Sequence, residues 1–505
     1  MRRFRTPSLC VATLATALLL PATATAFVSA GSNASTSRWL STASGSAGVP
    51  GDPLTLTWSF LPDGTELFNP TVDPNNPDPG VSFFLPSDLL SRLDSEFGSG
   101  AGPGGGDDLT TRPWFSIFED SFDRWTELTG VTFVYEPNDD GRRHNSADGV
   151  LGVRGDLRIG GAGFDGSGGT LAYNYFSFDG GDMGIDTDDF IDLLANPADD
   201  FRYLRNTIMH ETGHGLGLDH IVSNDADFLL EPTINVGFDG PQHDDLRGIH
   251  WLYGDAFEKG VARNEIAPLA TPLGDLAVGG SLSIGAGGTG AVVDLGETDF
   301  VSISNENDTD FFSFTIDSPI SLDAVMTPRG ATYNQGSFFD TTRTSDLELA
   351  IFDADGVSVL AESASGAAGV AEGVAGVALA QPGVYYARVQ SQSDTADQIV
   401  QFYQLDVSAT SLGPALPGDF DGSGLVDLVD YTLWRDTLGQ TVPRFTAADH
   451  NGDGSIGLAD YDLWVANFGQ TLGGGSAVPE PGGLLASAVL AACPAANVGR
   501  RRRRV

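Results

Sequence analysis

The chain has 505 residues, long enough for several domains, and carries a formal net charge of −42. So acidic a surface repels nucleic acid and anionic membranes, and it suits either calcium loading or a salty medium. Both cysteines, Cys10 and Cys493, lie in terminal apolar segments, so the body between them has no disulfide and no thiol to ligate a metal.

Residues 1–26 read as a secretory signal: Arg2, Arg3 and Arg5 come first, then an apolar run from Val11 to Leu20, then Ala24-Thr25-Ala26 as a small-residue cleavage site. Export is therefore expected. From about Gly51 the first folded region is expected to begin, with Leu54 to Phe60 alternating like a half-buried strand. Gly98 to Asp108 reads as a surface loop. Trp114, Phe118, Phe122 and Trp125 then recur at helical spacing between Pro113 and Gly130, predicting a helix whose aromatic stripe packs on a sheet. Val131 to Tyr135 and Gly155 to Ile159 supply further strands. Leu171 to Phe176 is a candidate edge strand, able to hold an extended peptide by main-chain pairing.

The segment His210-Glu211-Thr212-Gly213-His214-Gly215-Leu216-Gly217-Leu218-Asp219-His220 carries the chemistry. On a helix, His210 and His214 project from one face, so two ring nitrogens reach one Zn²⁺. Glu211 stands beside the metal as general base. Gly217 permits the turn that ends the helix and brings His220 round as third ligand, with the fourth position left open for water. These residues resemble the metzincin zinc metallopeptidases. Phe164-Asp165-Gly166, Leu171-Ala172, Ile185-Asp186 and a closing helix over Asp244 to Gly254 narrow the resemblance to the matrixin branch, covering residues 51–256.

The resemblance implies an α+β catalytic domain, a twisted sheet with a zinc helix, that hydrolyses peptide bonds in extracellular proteins. It also implies a structural Ca²⁺ at Asp165, Asp186 and Asp189. Three departures stand out. Leu230 replaces the family's turn methionine, ahead of Pro232. Tyr173 and Gly184 stand where histidines would bind a second, structural zinc, which is therefore expected to be absent. No cysteine is available for the family's inhibitory switch. His144, His243, His250 and His450 receive packing or surface roles and no metal.

Beyond Asp255, strand-like runs separated by glycine turns predict a β-sandwich over residues 270–408. Asp308-Thr309-Asp310-Phe311, Asp353-Ala354-Asp355-Gly356 and Pro382 to Tyr386 resemble the bacterial pre-peptidase C-terminal domain, which implies an accessory role without chemistry. A duplication follows at residues 415–472. Its two loops offer oxygen donors at positions 1, 3, 5 and 12: Asp419, Asp421, Ser423 and Asp430, then Asp449, Asn451, Asp453 and Asp460. Ser423 makes the first loop the weaker calcium ligand. The pair, a small α-helical module of EF-hand-like loops, resembles a dockerin that folds around two Ca²⁺ and docks into a cohesin-type partner.

Residues 478–505, with Val478-Pro479-Glu480-Pro481, an apolar stretch and Arg500 to Arg504, resemble the PEP-CTERM sorting signal. That implies processing by an exosortase-type enzyme, transient membrane contact through the tail, and a place outside a bacterial cell or on its surface. The chain thus reads as a modular, secreted zinc endopeptidase. The alternative is a catalytically silent surface or matrix-binding protein that works through its dockerin-like and sandwich modules.

Overall fold

A computed structural model describes residues 9–11, 27–72, 81–100, 107–225, 227–259, 263–334, 338–392, 400–412, 416–442 and 445–472. The sorting tail and all of the signal segment but residues 9–11 lie outside the described residues. The chain divides into two compact units, Met1–Leu412 and Gly413–Val505. Among the described residues, no helix is long and apolar enough to cross a membrane.

The first unit is built on a six-stranded sheet. Its strands are β1 (Leu9–Val11), β2 (Leu54–Phe60), β3 (Val131–Tyr135), β4 (Leu157–Ala162), β5 (Ala172–Tyr175) and β6 (Met183–Asp186), in spatial order β1-β5-β6-β4-β2-β3. β2 runs parallel to β3 and β4, so it is covered on both faces and six of its seven residues are buried. One face meets helix α1 (Phe115–Leu128) through the aromatic stripe. Trp58 stacks on Phe115 and Phe122 with centroids at 5.5 and 4.7 Å, and Phe60 meets Trp114 and Phe118 edge-on at 5.2 and 4.9 Å. These offset and edge-on contacts add to the large apolar area that the rings bury.

Two more helices complete this layer, α2 (Arg202–Leu216) and α3 (His243–Tyr253). Trp125 of α1 donates its indole N–H to Met209 O at 3.1 Å, which ties α1 to α2. The candidate edge strand β5 pairs antiparallel with β6 on one side and with β1 on the other.

Residues 27–50, outside the expected bounds 1–26 and 51–256, belong to this unit. Val28–Ser29 pairs antiparallel with Leu218–Asp219, and Trp39 donates its indole N–H to Gly215 O at 2.9 Å. Phe27 and Trp39 are buried anchors in a Ser-, Gly- and Thr-rich stretch whose composition resembles a linker. The folded unit therefore begins well ahead of Gly51.

The sandwich has one sheet of β7 (Thr271–Asp275), β9 (Thr309–Ile316), β14 (Gly383–Ser391), β11 (Leu347–Phe352) and β12 (Val359–Ser363), in that order. Its second sheet runs β8 (Ser281–Ile284), β15 (Gln401–Ser411), β10 (Ile320–Arg329), β13 (Glu372–Leu379), with Ser302–Ile303 also paired to β15. Alternate residues of β9, β10 and β15 point inward and form the core between the sheets.

The sandwich is fused to the first layer by a shared core, because Val293, Phe300, Tyr333, Val400 and Phe402 join the cluster that contains Leu246, Ile249 and Leu252 of α3. Polar clamps border it. Arg124 donates to Asp294 O and Leu295 O at 3.1 and 3.2 Å, and Arg247 donates to Val400 O at 3.2 Å. His243 Nε2 lies 3.1 Å from Gly288 O, while its Nδ1 accepts from Tyr333. His250 bridges Leu128 O at 2.8 Å and Ser302 Oγ at 2.9 Å.

In the second unit, α4 (Leu428–Thr437) and α5 (Leu458–Asn467) each follow one of the duplicated loops, over a small core of Phe420, Trp434, Ala448 and Ile456. His450 accepts from Gly418 N at 3.1 Å and packs on Phe420.

Burial holds His250 neutral by pulling its pKa down to about 4, below the ordinary 6.5. A lowered folded-state value means that its stabilisation is full above pH 6.5 and is lost as pH falls toward 4. The stability gap between the native chain and His250→Gln should therefore narrow by about 2 kcal/mol from pH 7 to pH 5. Urea unfolding at the two pH values measures it, and a constant gap would contradict a neutral, buried His250.

Candidate metal centre

Every residue of α2 from Leu204 to Leu216 is buried, so its imidazoles leave water as the helix packs. The helix ends at Gly217, whose φ of +112° only glycine adopts without strain. A Cβ there would also lie 2.0 Å from Ser37 O. The turn packs against the N-terminal segment, which also pairs with Leu218–Asp219 next to His220.

The three predicted ligands converge. His210, His214 and His220 Nε2 atoms lie 3.1 to 3.2 Å from one another. Tetrahedral nitrogen ligands about 2.0–2.1 Å from one Zn²⁺ stand roughly 3.3–3.4 Å apart, so the spacing fits. The tautomers fit as well. His210 Nδ1 faces Leu229 O at 2.6 Å and His214 Nδ1 faces Leu218 O at 2.8 Å, so each Nδ1 holds the proton and each Nε2 presents a lone pair. Burial keeps the rings uncharged, pulling His210 down to about 3 and lowering His214 and His220 as well.

Glu211 is fully buried, and neither carboxylate oxygen has a protein hydrogen-bond partner. Burial pushes its carboxyl well above the ordinary carboxylate range. An orphaned buried acid beside three converging imidazoles calls for a ligand that the protein itself does not supply.

Leu230 lies beneath this group, buried against Gly213, where a Cβ would come 2.8 Å from Leu230 Cδ2. Asp245 at the start of α3 accepts from Leu229 N at 2.8 Å and Leu230 N at 3.1 Å, and thereby fixes the carbonyl that orients His210. Sequence reading missed Asp245, Trp39 and Ser37 as supports. The acidic start of the closing helix was visible, but its long-range target was not.

Where the resemblance places a second zinc, the residues do not fit one. The Tyr173 ring covers Gly184, whose Cβ would lie 2.5 Å from it. The Tyr173 hydroxyl donates to Phe68 O at 2.8 Å, and its partner His144 is the one imidazole of the cluster. Buried Arg158 pairs with Asp139 at 2.7 Å beside it, bringing positive charge where a cation would otherwise sit.

Two of the predicted calcium groups come together. Asp165, Asp186 and Asp189 bring carboxylate oxygens within 4.8 Å of one another, and Asp189 Oδ2 is buried without a partner. Asp419, Asp421 and Asp430 converge to the same limit, with Ser423 donating its amide to Asp419 at 3.0 Å. In the second loop Asp449, Asn451, Asp453 and Asp460 repeat the hydrogen-bond pattern. Asp453 N reaches Asp449 at 3.2 Å and Asn451 N reaches Asp460 at 3.0 Å.

Residues 106–254 match the Matrixin (Peptidase_M10) family model. Matrix metalloproteinase-16 of Homo sapiens is 36% identical over 145 residues, which are 26% of this chain and 23% of that protein. Metalloendoproteinase 2-MMP of Arabidopsis thaliana is 31% identical over 147 residues, 28% of this chain and 36% of that protein. The chain thus spans well under half the length of these relatives. Among solved structures, a type II cohesin-dockerin domain from Bacteroides cellolosolvens matches 12% of this chain and 93% of its own, at 29% identity and TM-score 0.11. The pre-peptidase C-terminal domain of a Bacillus anthracis collagenase matches 28% and 96%, at 12% identity and TM-score 0.16.

Leu and Met have similar volumes, so Leu230→Met should change unfolding free energy by less than about 1.5 kcal/mol. Zinc per chain, measured by atomic absorption, should be unchanged. A larger destabilisation or a fall in zinc would show that the Leu230 shape against Gly213 is itself required.

Proposed function

We propose that the chain is an exported zinc metalloendopeptidase. The observation that carries this reading is the convergence of three neutral imidazoles on one point beside the partnerless Glu211 carboxylate. His210, His214 and His220 would hold Zn²⁺, which supplies Lewis acidity and lowers the pKa of bound water. Glu211 takes the proton from the attacking water and returns it to the leaving amine.

Strand β5 supplies the substrate track. Its outer edge pairs antiparallel with an extended segment, Leu9↔Tyr175 to Val11↔Tyr173, as a peptide substrate would pair. Removal of the signal segment leaves that edge open. The Asp165, Asp186 and Asp189 group would hold a structural Ca²⁺, and the two loops at Asp419 and Asp449 would hold one each. With a cohesin-type partner and a processed C-terminal tail, the second unit and the tail would determine where outside a bacterial cell the peptidase works.

The decisive comparison is residues 27–477 against the same protein with Glu211→Ala, on casein or gelatin, with zinc measured on both. The native protein should cleave, and loss of the base should slow cleavage by about 10²–10⁴-fold with zinc retained. Equal inactivity of the two zinc-loaded proteins would overturn the peptidase reading in favour of a silent scaffold.

A further inference from the structure

The chain that leaves the third imidazole, His220, returns to the first one at Leu229, whose carbonyl faces His210 Nδ1 at 2.6 Å. Two groups of the metal centre therefore stand at the two ends of one excursion. Its neck is closed by Ile221 N, which donates to Leu230 O at 3.0 Å, and by Ser223 N, which donates to Glu231 at 2.8 Å. Asn224 and Asp225, beyond the neck, are exposed.

The sandwich meets them there. A hairpin of Thr332–Asn334 and Phe338–Asp340 follows β10 and reaches the outer part of the excursion. Asn224 N donates to Asn334 O at 2.8 Å, Asn224 Nδ2 donates to Asn334 Oδ1 at 3.0 Å, and Asn334 N donates to Asp225 Oδ2 at 2.9 Å. All three bonds end on Asn334, and they join positions 109 or 110 residues apart in sequence.

Beneath them Tyr333 meets Phe228 edge-on with ring centroids 4.9 Å apart, and both rings are buried. The Tyr333 hydroxyl donates to His243 of α3, the helix that also supplies Asp245, the acceptor for Leu229 N and Leu230 N. The hairpin is pinned at its root, where Thr341 N donates to Ala331 O at 3.0 Å and Ala331 N donates to Thr341 Oγ1 at 2.8 Å. Arg247 of α3 lies over the Phe339 ring, 5.4 Å from its centroid.

We propose that this hairpin belongs to the metal centre, with Asn334 as a positioning residue that holds Asn224 and Asp225 and so keeps His220 in register with the Leu229 carbonyl. An excursion closed only at its neck can flex about it, and flexing shifts the third imidazole relative to the first. An outside anchor removes that freedom, as the hydrogen-bond partners of metal ligands do. Asn334 uses a backbone donor, a backbone acceptor and a side-chain acceptor at once, so it fixes orientation as well as position. The sandwich thereby becomes a working part of the peptidase, an assignment that rests on reading the three imidazoles as a zinc site.

The test compares the full chain with the double variant Asp225→Ala, Asn334→Ala. Two of the three bonds are lost, while the buried contact of Tyr333 with Phe228 is untouched. Zinc release to a chromophoric chelator, followed without substrate, should become about tenfold faster, the lower end of what partners of metal ligands contribute. On casein, kcat should fall several-fold while KM stays within about twofold, because the substrate pairs with β5 and not with this excursion. Asp225→Asn retains an amide oxygen that accepts from Asn334 N, so alone it should release zinc at nearly the native rate, whereas Asp225→Ala should release it faster. An unchanged release rate in the double variant, or equal acceleration by Asp225→Asn and Asp225→Ala, would overturn the role of Asn334. Faster release from the double variant with no cleavage by the native chain would leave the clamp standing and sink only the peptidase reading.

Discussion

Three imidazoles can bind one cation only if they stay neutral and present lone pairs to a single point. Two backbone carbonyls, Leu229 O and Leu218 O, impose this by taking the Nδ1 protons of His210 and His214. Much of the first unit serves to hold those carbonyls. The Leu229 turn hangs on Asp245 of α3, and the Leu218 turn is paired with Val28–Ser29. α2 is itself capped by Tyr253, which donates to Leu216 O at 2.8 Å.

The sandwich enters the same chain of dependence through α3. Its residues Phe402, Val400 and Tyr333 complete the core against which α3 lies, and Ser302 and Gly288 meet the imidazoles of His250 and His243. A helix that fixes the Leu229 turn is thus wedged between two layers rather than left as a surface lid. Because packed cores shift between discrete arrangements and do not deform smoothly, loosening this seam would be felt at His210.

The acidic residues are not spread evenly over the fold. Carboxylates gather at Asp165, Asp186 and Asp189, at Asp419, Asp421 and Asp430, and at Glu258, Glu265 and Asp308. Such gatherings bring like charges together, a repulsion that a bound divalent cation would offset. Part of the chain's negative charge is thus concentrated in these three groups.

The local patterns were legible. The spacing of His210, Glu211, His214, Gly217 and His220, the stripe from Trp114 to Trp125 and the alternation of Leu54 to Phe60 each have one period and one face, so helix, turn and strand follow from nearest neighbours. Partners far apart in sequence were not legible. Nothing in residues 27–50 marks them as support for His220, nothing in Asp245 names Leu230 as its target, and Glu258 gives no sign that Asp308 will meet it. Backbone periodicity is a property of a few consecutive residues, so the chain alone determined which imidazoles share a helix face and where the turn after them falls. Which carbonyl orients each ligand, and which acids share a buried space, depends on chain closure over tens to hundreds of residues, and only the tertiary structure decided it.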